Sequence, residues 1–324
     1  PQENTLPKYD DAATIYADLM VRIDLAISQL NGASGGFSKP DLLYGGDLAA
    51  WSKFANSLKL RLAMRLSDVN PSVSKAAAEQ AVAAGVFTSN SDNTALQYLS
   101  APPNTNPIWV AIIQSGRKDY VAANTLVDYM NDLGDPRLDH YFRDKVNGAY
   151  LGGPYGATNT YSKYSHINSQ VLEPDFEGTL IDFVEVSFLQ AEAVERGYTI
   201  SGSAEQHYNN GIEASILYWG GSAADVTDYM ANPKVAYSTA TGDWKEKIAM
   251  QFWLGMYNRG CEGWNVWRKF DNPQLNIPVA SQRAVPTRYT YPITEQNLNE
   301  ANRSAAAASI GGDTQNTKIF WDVN

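Results

Sequence analysis

The chain has 324 residues, of which 44% are hydrophobic and 19% charged, enough apolar material for a large core in one big domain or two ordinary ones. A formal net charge of -10 and a pI near 4.8 weigh against nucleic acid and anionic membrane surfaces as partners, since both require basic patches and the Lys and Arg residues are interspersed with acids. One cysteine, Cys261, excludes an internal disulfide framework and a cysteine-based zinc cluster, and no apolar run reaches the ~18 residues of a membrane-spanning helix.

The start, Pro1-Gln-Glu-Asn4, is polar and has no apolar segment of a targeting signal; it reads as a chain whose upstream sequence has been removed. After Pro7–Asp11, residues Ile15, Leu19, Ile23, Ile27 and Leu30 step by three and four until Asn31-Gly32, which predicts an amphipathic helix. A Gly- and Ser-rich linker with Pro40 leads to Asp47, the N-cap of a second helix with Leu48, Trp51, Ala55, Leu58, Leu62 and Leu66 on one face. Its Lys53, Lys59, Arg61 and Arg65 read as a solvated or ion-paired helix face rather than a binding patch. Asn70-Pro71 ends it, and an alanine-rich helix from Ser72 to Ala84, capped by Gly85, completes an αα-hairpin.

Residues 88–107 are polar loop. Helical spacing returns between Asp119 and Leu133 and stops at Gly134-Asp-Pro136. From Arg137 to Gly178 no apolar period survives. A segment that long is functional or disordered, and its tyrosines argue for order, so an ordered, largely irregular excursion is expected. Helices at Leu180–Arg196 and Ser203–Trp219 form a pair of tetratricopeptide length, the second opened by a Ser203/Gln206 capping box and closed by Gly220-Gly221.

The stretch Gly242–Arg268 carries four of the eight tryptophans. Asp243 and Glu246 make a capping box, and Ile248, Ala249, Phe252, Trp253 and Met256 mark a wide apolar face. Arg259-Gly260 is expected to end this helix through a left-handed glycine. Trp264, Trp267 and Arg268 then read as a short helical turn, either a packing corner or a ligand platform. The tail from Asn272 is loop-like, with one helical candidate near 294–306.

His140, His166 and His207 have no metal-ligand spacing, so neither a metal nor a cofactor is expected. Gly152–Gly156 reads as turns, since no Gly-Lys-Ser/Thr ending makes it a phosphate loop; there is no nucleophile elbow, and Cys261 has no neighbouring His to activate it. Glycoside hydrolysis needs only two carboxylates about 5–10 Å apart, which Asp182 with Glu185 or Glu192 with Glu195 could supply, although such like-charged pairs are commonly solvated on a helix surface.

A better-motivated site lies in the aromatic loops. Trp109, Arg117, Asp119, Tyr120, Tyr155, Asn159, Tyr161 and Tyr164 combine rings that stack on sugar faces with groups that pair with hydroxyls. These are the candidate ligand-binding residues. Peptides would be suited by much the same surface, and any one tyrosine could instead plug its loop onto the helices.

Several motifs in chain order resemble the SusD/RagB-type family of Bacteroidetes. They are Tyr44-Gly-Gly-Asp47 with the helix through Arg65, Val127-x-x-Met-x-x-Leu-x-Asp-Pro-Arg-Leu138, Phe188-Leu-x-Ala-Glu-Ala193 with Tyr208-x-x-Gly-Ile212, Glu246-Lys-Ile-x-x-Gln-x-Trp253 with Trp264-x-x-Trp-Arg268, and Tyr291-Pro-x-x-Glu295 with Gly311-Gly-Asp313 through Trp321. The resemblance implies an all-α fold of tetratricopeptide-like helix pairs with long irregular loops. It implies a single SusD-like domain over residues 1–324, the C-terminal two-thirds of the family fold, with the excursion at 137–178. It further implies a lipid-anchored, surface-exposed outer-membrane protein that binds and does not catalyse. Such a protein captures oligosaccharides, or in some members peptides, and passes them to a SusC-like TonB-dependent channel. Ligand-binding positions vary within that family, so the eight residues above rest on local chemistry alone.

Overall fold

The computed structural model describes residues 5–324. Helices dominate. Asp11 caps α1 (Ala12–Gly32), Asp47 caps α2 (Leu48–Arg65), and Asn70 with Pro71 at the first helical position starts α3 (Pro71–Ala84). β1 (Thr94–Leu96) and a short α4 (Pro107–Trp109) lead to α5 (Asn124–Leu133), which ends on left-handed Gly134. The excursion holds α6 (Leu138–Tyr141), β2 (Phe142–Arg143), β3 (His166–Ile167) and the start of β4 (Gly178–Ile181). Then come α7 (Phe183–Glu195), α8 (Ala204–Tyr218), α9 (Ala223–Ala231), α10 (Trp244–Gly255), α11 (Gly260–Phe270), α12 (Ile293–Leu298) and α13 (Glu300–Ser309). The strands form two short antiparallel pairs, β1 with β4 and β2 with β3.

The helix pairs α2/α3 and α7/α8 pack as hairpins, and α10 lies across α7 and α8. The core runs through them: Leu60 and Met64 on α2, Phe188 on α7, Tyr208 and Ile212 on α8, Ile248 and Phe252 on α10 are all buried. Phe188 stacks on Phe252 with centroids 5.3 Å apart. Two glycines let α8 and α10 approach α7, since a Cβ at Gly211 would stand 2.7 Å from the Phe188 ring and one at Gly255 2.8 Å from Val184.

Ion pairs, some buried and some at the surface, join the layers as well as apolar contact. On α2, Lys53 pairs with Asp92 at 2.7 Å, Lys59 with Asp24 at 2.6 Å, Arg61 with Glu185 at 2.5 Å and Arg65 with Glu262 at 2.7 Å, which makes this helix face ion-paired rather than solvated. Asp135 and Arg137 form a fully buried bidentate pair beneath the excursion.

Three expectations are corrected, and one helix was not expected. Helix α5 starts at Asn124, not Asp119, because the backbone of Ala122 to Asn124 bonds to residues 153 and 165 instead of closing a helical turn. Helix α10 stops at Gly255 and the left-handed residue is Asn258, φ 61°; Gly260 opens α11, which runs eleven residues rather than one turn. On α1, Ile15 and Leu19 are 43% and 36% exposed, since α1 packs on α2 through Met20 and Ile23. Helix α9, with a Ser222/Asp225 capping box, had no sequence expectation, its nine residues being too few for a periodic pattern to stand out.

Candidate functional site

The long excursion is held by a ladder of backbone bonds on the start of α5. Gly153 donates to the Ala122 carbonyl at 2.7 Å, Asn124 to Gly153 at 2.9 Å, Ala122 to Ser165 at 2.8 Å and Ser165 to Leu151 at 2.8 Å. On the outer side, Val279 and Ala280 donate to the carbonyls of Tyr155 and Gly156 at 2.9 and 3.0 Å. Segments far apart in sequence thus form one ordered surface.

The glycines are part of that seam as well as of its turns. A Cβ on Gly152 would stand 2.4 Å from the Asn124 Cα, and one on Gly153 would meet the Asn159 side chain at 2.8 Å. Gly152→Ala should therefore cost roughly 1–3 kcal/mol by overpacking and speed amide exchange across residues 150–165. Unchanged stability and exchange would show that the seam is not this tight.

Arg117, Asp119 and Tyr120 are brought together at the edge of this surface. The guanidinium spans both Asp119 oxygens, at 3.0 Å from Nε and 2.5 Å from Nη2, and lies 4.9 Å from the Tyr120 ring centroid. The hydrogen bond from Arg117 holds the Asp119 carboxyl below the usual carboxylate range. Tyr120 is 52% exposed and Tyr155 42% exposed, so both present ring surface to solvent. The Tyr155 backbone is pinned on two sides, by the Asn124 carboxamide at 3.0 Å and by Val279.

Asn159 is half-buried and donates to the carbonyls of Pro154 at 3.2 Å and Ala157 at 3.1 Å, closing its own turn. Tyr161 stacks on His166 with centroids 3.7 Å apart; the His166 ring meets Asp144 at 2.8 Å and the Tyr161 carbonyl at 3.0 Å. Tyr164, half-buried, follows the single 3-10 turn at Tyr161–Lys163. Trp109 stands further along, half-buried before the π-helical turn Val110–Gln114, whose Val110 and Ile113 are exposed. The ladder gathers Tyr155, Asn159, Tyr161 and Tyr164 in one segment and reaches the chain at Ala122, two residues after Tyr120; among the described residues no hydrogen bond or ring contact ties Arg117, Asp119, Tyr120 or Trp109 to that group. Sequence reading missed the supports Asn124 and Asp144, whose partners Tyr155 and His166 lie 31 and 22 residues away and leave no local signal, and His166, whose nearer partner Tyr161 is five residues away.

The tryptophan-rich corner resolves as packing. Arg268 lies 3.8 Å from the Trp264 ring centroid, and both reach the tail, Trp264 Nε1 to the Pro286 carbonyl at 2.8 Å and Arg268 to that of Thr287 at 3.0 Å.

Of the paired carboxylates only Glu195 keeps part of its surface open, accepting from the Tyr237 hydroxyl at 2.5 Å; the others are not solvated, contrary to expectation. Asp182, Glu185 and Glu192 are buried; Arg259 pairs with Asp182 at 2.8 Å, and Lys269 and Arg196 pair with Glu192 at 2.8 and 2.7 Å. Burial raises the Glu185 carboxyl, but the Arg61 and Arg259 guanidiniums outweigh it and hold it down at about 2. Glycosidic acid–base chemistry needs carboxylates open to substrate and water; these close the core.

A family model described as starch-binding and associating with the outer membrane, SusD-like, matches residues 1–292. Among solved structures, a chitin-binding protein is 32% identical with a TM-score of 0.87, the match covering 99% of this chain and 75% of that one. A chitin-binding SusD homologue from Flavobacterium johnsoniae is 27% identical, TM-score 0.83, covering 99% and 74%. A SusD homologue from Bacteroides uniformis is 25% identical, TM-score 0.88, covering 98% and 74%. No curated protein matches. The relatives named for an activity are named for binding, and the helical fold is shared with them throughout, so the chain belongs to the SusD-like family.

Proposed function

We propose that this protein captures an oligosaccharide on the face carrying Tyr120 and Tyr155 and delivers it to a TonB-dependent outer-membrane channel, acting as a lipid-anchored surface protein. The observations that carry the reading are the exposed Tyr155 on backbone fixed by Asn124 and Val279, and the exposed Tyr120, held against Arg117 just before the Ala122–Gly153–Ser165 ladder. Rigid aromatic faces lose little entropy on binding, and sugar rings offer apolar faces to match them. A net charge of -10 favours an uncharged cargo.

Two relatives named for chitin binding support the amino-sugar polymer class, and the family description supports the outer membrane as the location. Among the described residues no helix is long and apolar enough to cross a membrane.

Removing the stacking surface tests the site. Tyr155→Ala and Tyr120→Ala, both at exposed rings, should each weaken binding of an N-acetylglucosamine oligomer about tenfold or more, with thermal stability retained. Unaltered affinity in both variants would dismiss this site, and saturable binding of peptides in place of sugars would dismiss the cargo.

A further inference from the structure

A groove of about 800 Å3 opens between the start of α1, one face of α13 and the C-terminal segment around Ile319, and it shares no residue with the loop face. Its depth comes from α13, which turns Ala305, Ala306 and Ser309 toward it, side chains too small to fill it. One wall is aromatic: the Tyr9 and Tyr291 rings have centroids 4.6 Å apart and planes inclined by 58°.

The Tyr291 side of that wall is held by a nearly dry ion cluster, one member of which, Arg288, also lines the groove. Asp313 accepts from the Tyr291 backbone N–H at 3.0 Å and pairs with Arg288 at 2.9 Å and Arg303 at 2.6 Å. Arg288 is only 9% exposed and lies 4.8 Å from the Tyr291 ring centroid. The Tyr291 ring is therefore positioned before any ligand arrives.

The lining has both signs of charge, Lys8 and Lys318 with Asp10 and Asp11, and Lys318 lies 3.5 Å from Asp322. An anion would meet the aspartates and a cation the lysines. Two rings, a floor of alanine methyls and a rim of donors and acceptors suit an uncharged ring compound that carries hydroxyl or amide groups on its edges.

We propose that this groove is a second binding site for an uncharged pyranose chain, so that one protein molecule holds a polymer at two places. The proposal rests on the carbohydrate reading above. Two linked contacts raise the apparent affinity for a long chain without strengthening either site.

Ala305→Trp fills the groove from an exposed position on α13 and leaves its aromatic wall intact. In a titration of the 15N-labelled protein with an N-acetylglucosamine hexamer, two groups of amides should shift, one across residues 150–165 and one across 302–310. The Ala305→Trp variant should lose only the second group, and Tyr155→Ala should weaken only the first. Apparent affinity for the soluble long polymer should fall about tenfold or more in Ala305→Trp. Shifts confined to the loops, or a groove response untouched by Ala305→Trp, would overturn the second site and leave the first standing. No shift anywhere would overturn the carbohydrate reading and this proposal with it.

Discussion

Replacing Arg137 with Ala is expected to cost about 3–5 kcal/mol of folding free energy. Arg137 is fully buried, and its guanidinium grips Asp135 through Nε at 2.8 Å and Nη2 at 2.6 Å. It also donates to the Ser215 hydroxyl at 3.0 Å and the Gln251 carboxamide oxygen at 3.0 Å, while the Tyr229 hydroxyl donates to Asp135 at 3.1 Å. One side chain thus joins the end of α5 to α8, α9 and α10 at the point where the excursion leaves the core. Its loss strands the Asp135 carboxylate in a dry interior, which is where most of the cost arises. Lys at this position should recover little, because a point charge cannot reproduce the planar fork. Urea unfolding of both variants gives the comparison; a loss below about 1 kcal/mol would mean that water or a neighbour relieves Asp135.

The second large effect is an acid instability centred on Glu185. Its carboxyl, ordinarily near 4.5, is held at about 2 in the folded chain: burial pushes it up, and Arg61 and Arg259 push it further down. A folded value below the unfolded one means that stability is fully present above pH ~4.5 and is lost as pH falls toward about 2. The full amount corresponds to about 3 kcal/mol. Asp182, raised by burial although Arg259 opposes this, titrates in the opposite sense and offsets part of the loss. Glu185→Gln should be less stable than the parent at pH 7, where Arg61 and Arg259 lose a charge partner, and the gap should close as pH approaches 3. Urea midpoints at pH 7, 5, 4 and 3 measure this directly. Parallel curves for the two proteins would show that Glu185 does not carry the acid response.

What could be read from the sequence follows from how far apart the partners are. The Asp243/Glu246 capping box and the apolar face of α10 lie within a few turns, and both are present, with Glu246 Oε2 accepting from the Asp243 N–H at 2.9 Å. The helix pairs α2/α3 and α7/α8 were legible for the same reason. The charge on α2 was not: Arg61 and Glu185 are 124 residues apart, and whether such a residue is solvated or buried depends on the layer that covers it. The Asp135-Pro-Arg137 motif marked a family resemblance, but its function as a buried clamp appears only with Ser215, Tyr229 and Gln251 around it.

The loop face divides in the same way. Aromatic composition pointed to Tyr120 and Tyr155, which do reach the surface, whereas it could not separate them from Asn159, whose amide closes its own turn. Nor could it place the break before Asn124, because the bonds that replace the helical turn run to Gly153 and Ser165. A residue's surroundings, not its type, decide between contact and support.

Capture without chemistry is tested most directly by following intrinsic tryptophan fluorescence while the protein is titrated with N-acetylglucosamine oligomers, maltooligosaccharides and peptides, and by assaying the same samples for reducing ends after several hours. A saturable change with the amino-sugar oligomers and no new reducing ends is the predicted result. Reducing ends that increase with time, or saturation by peptides with no response to any sugar, would contradict it.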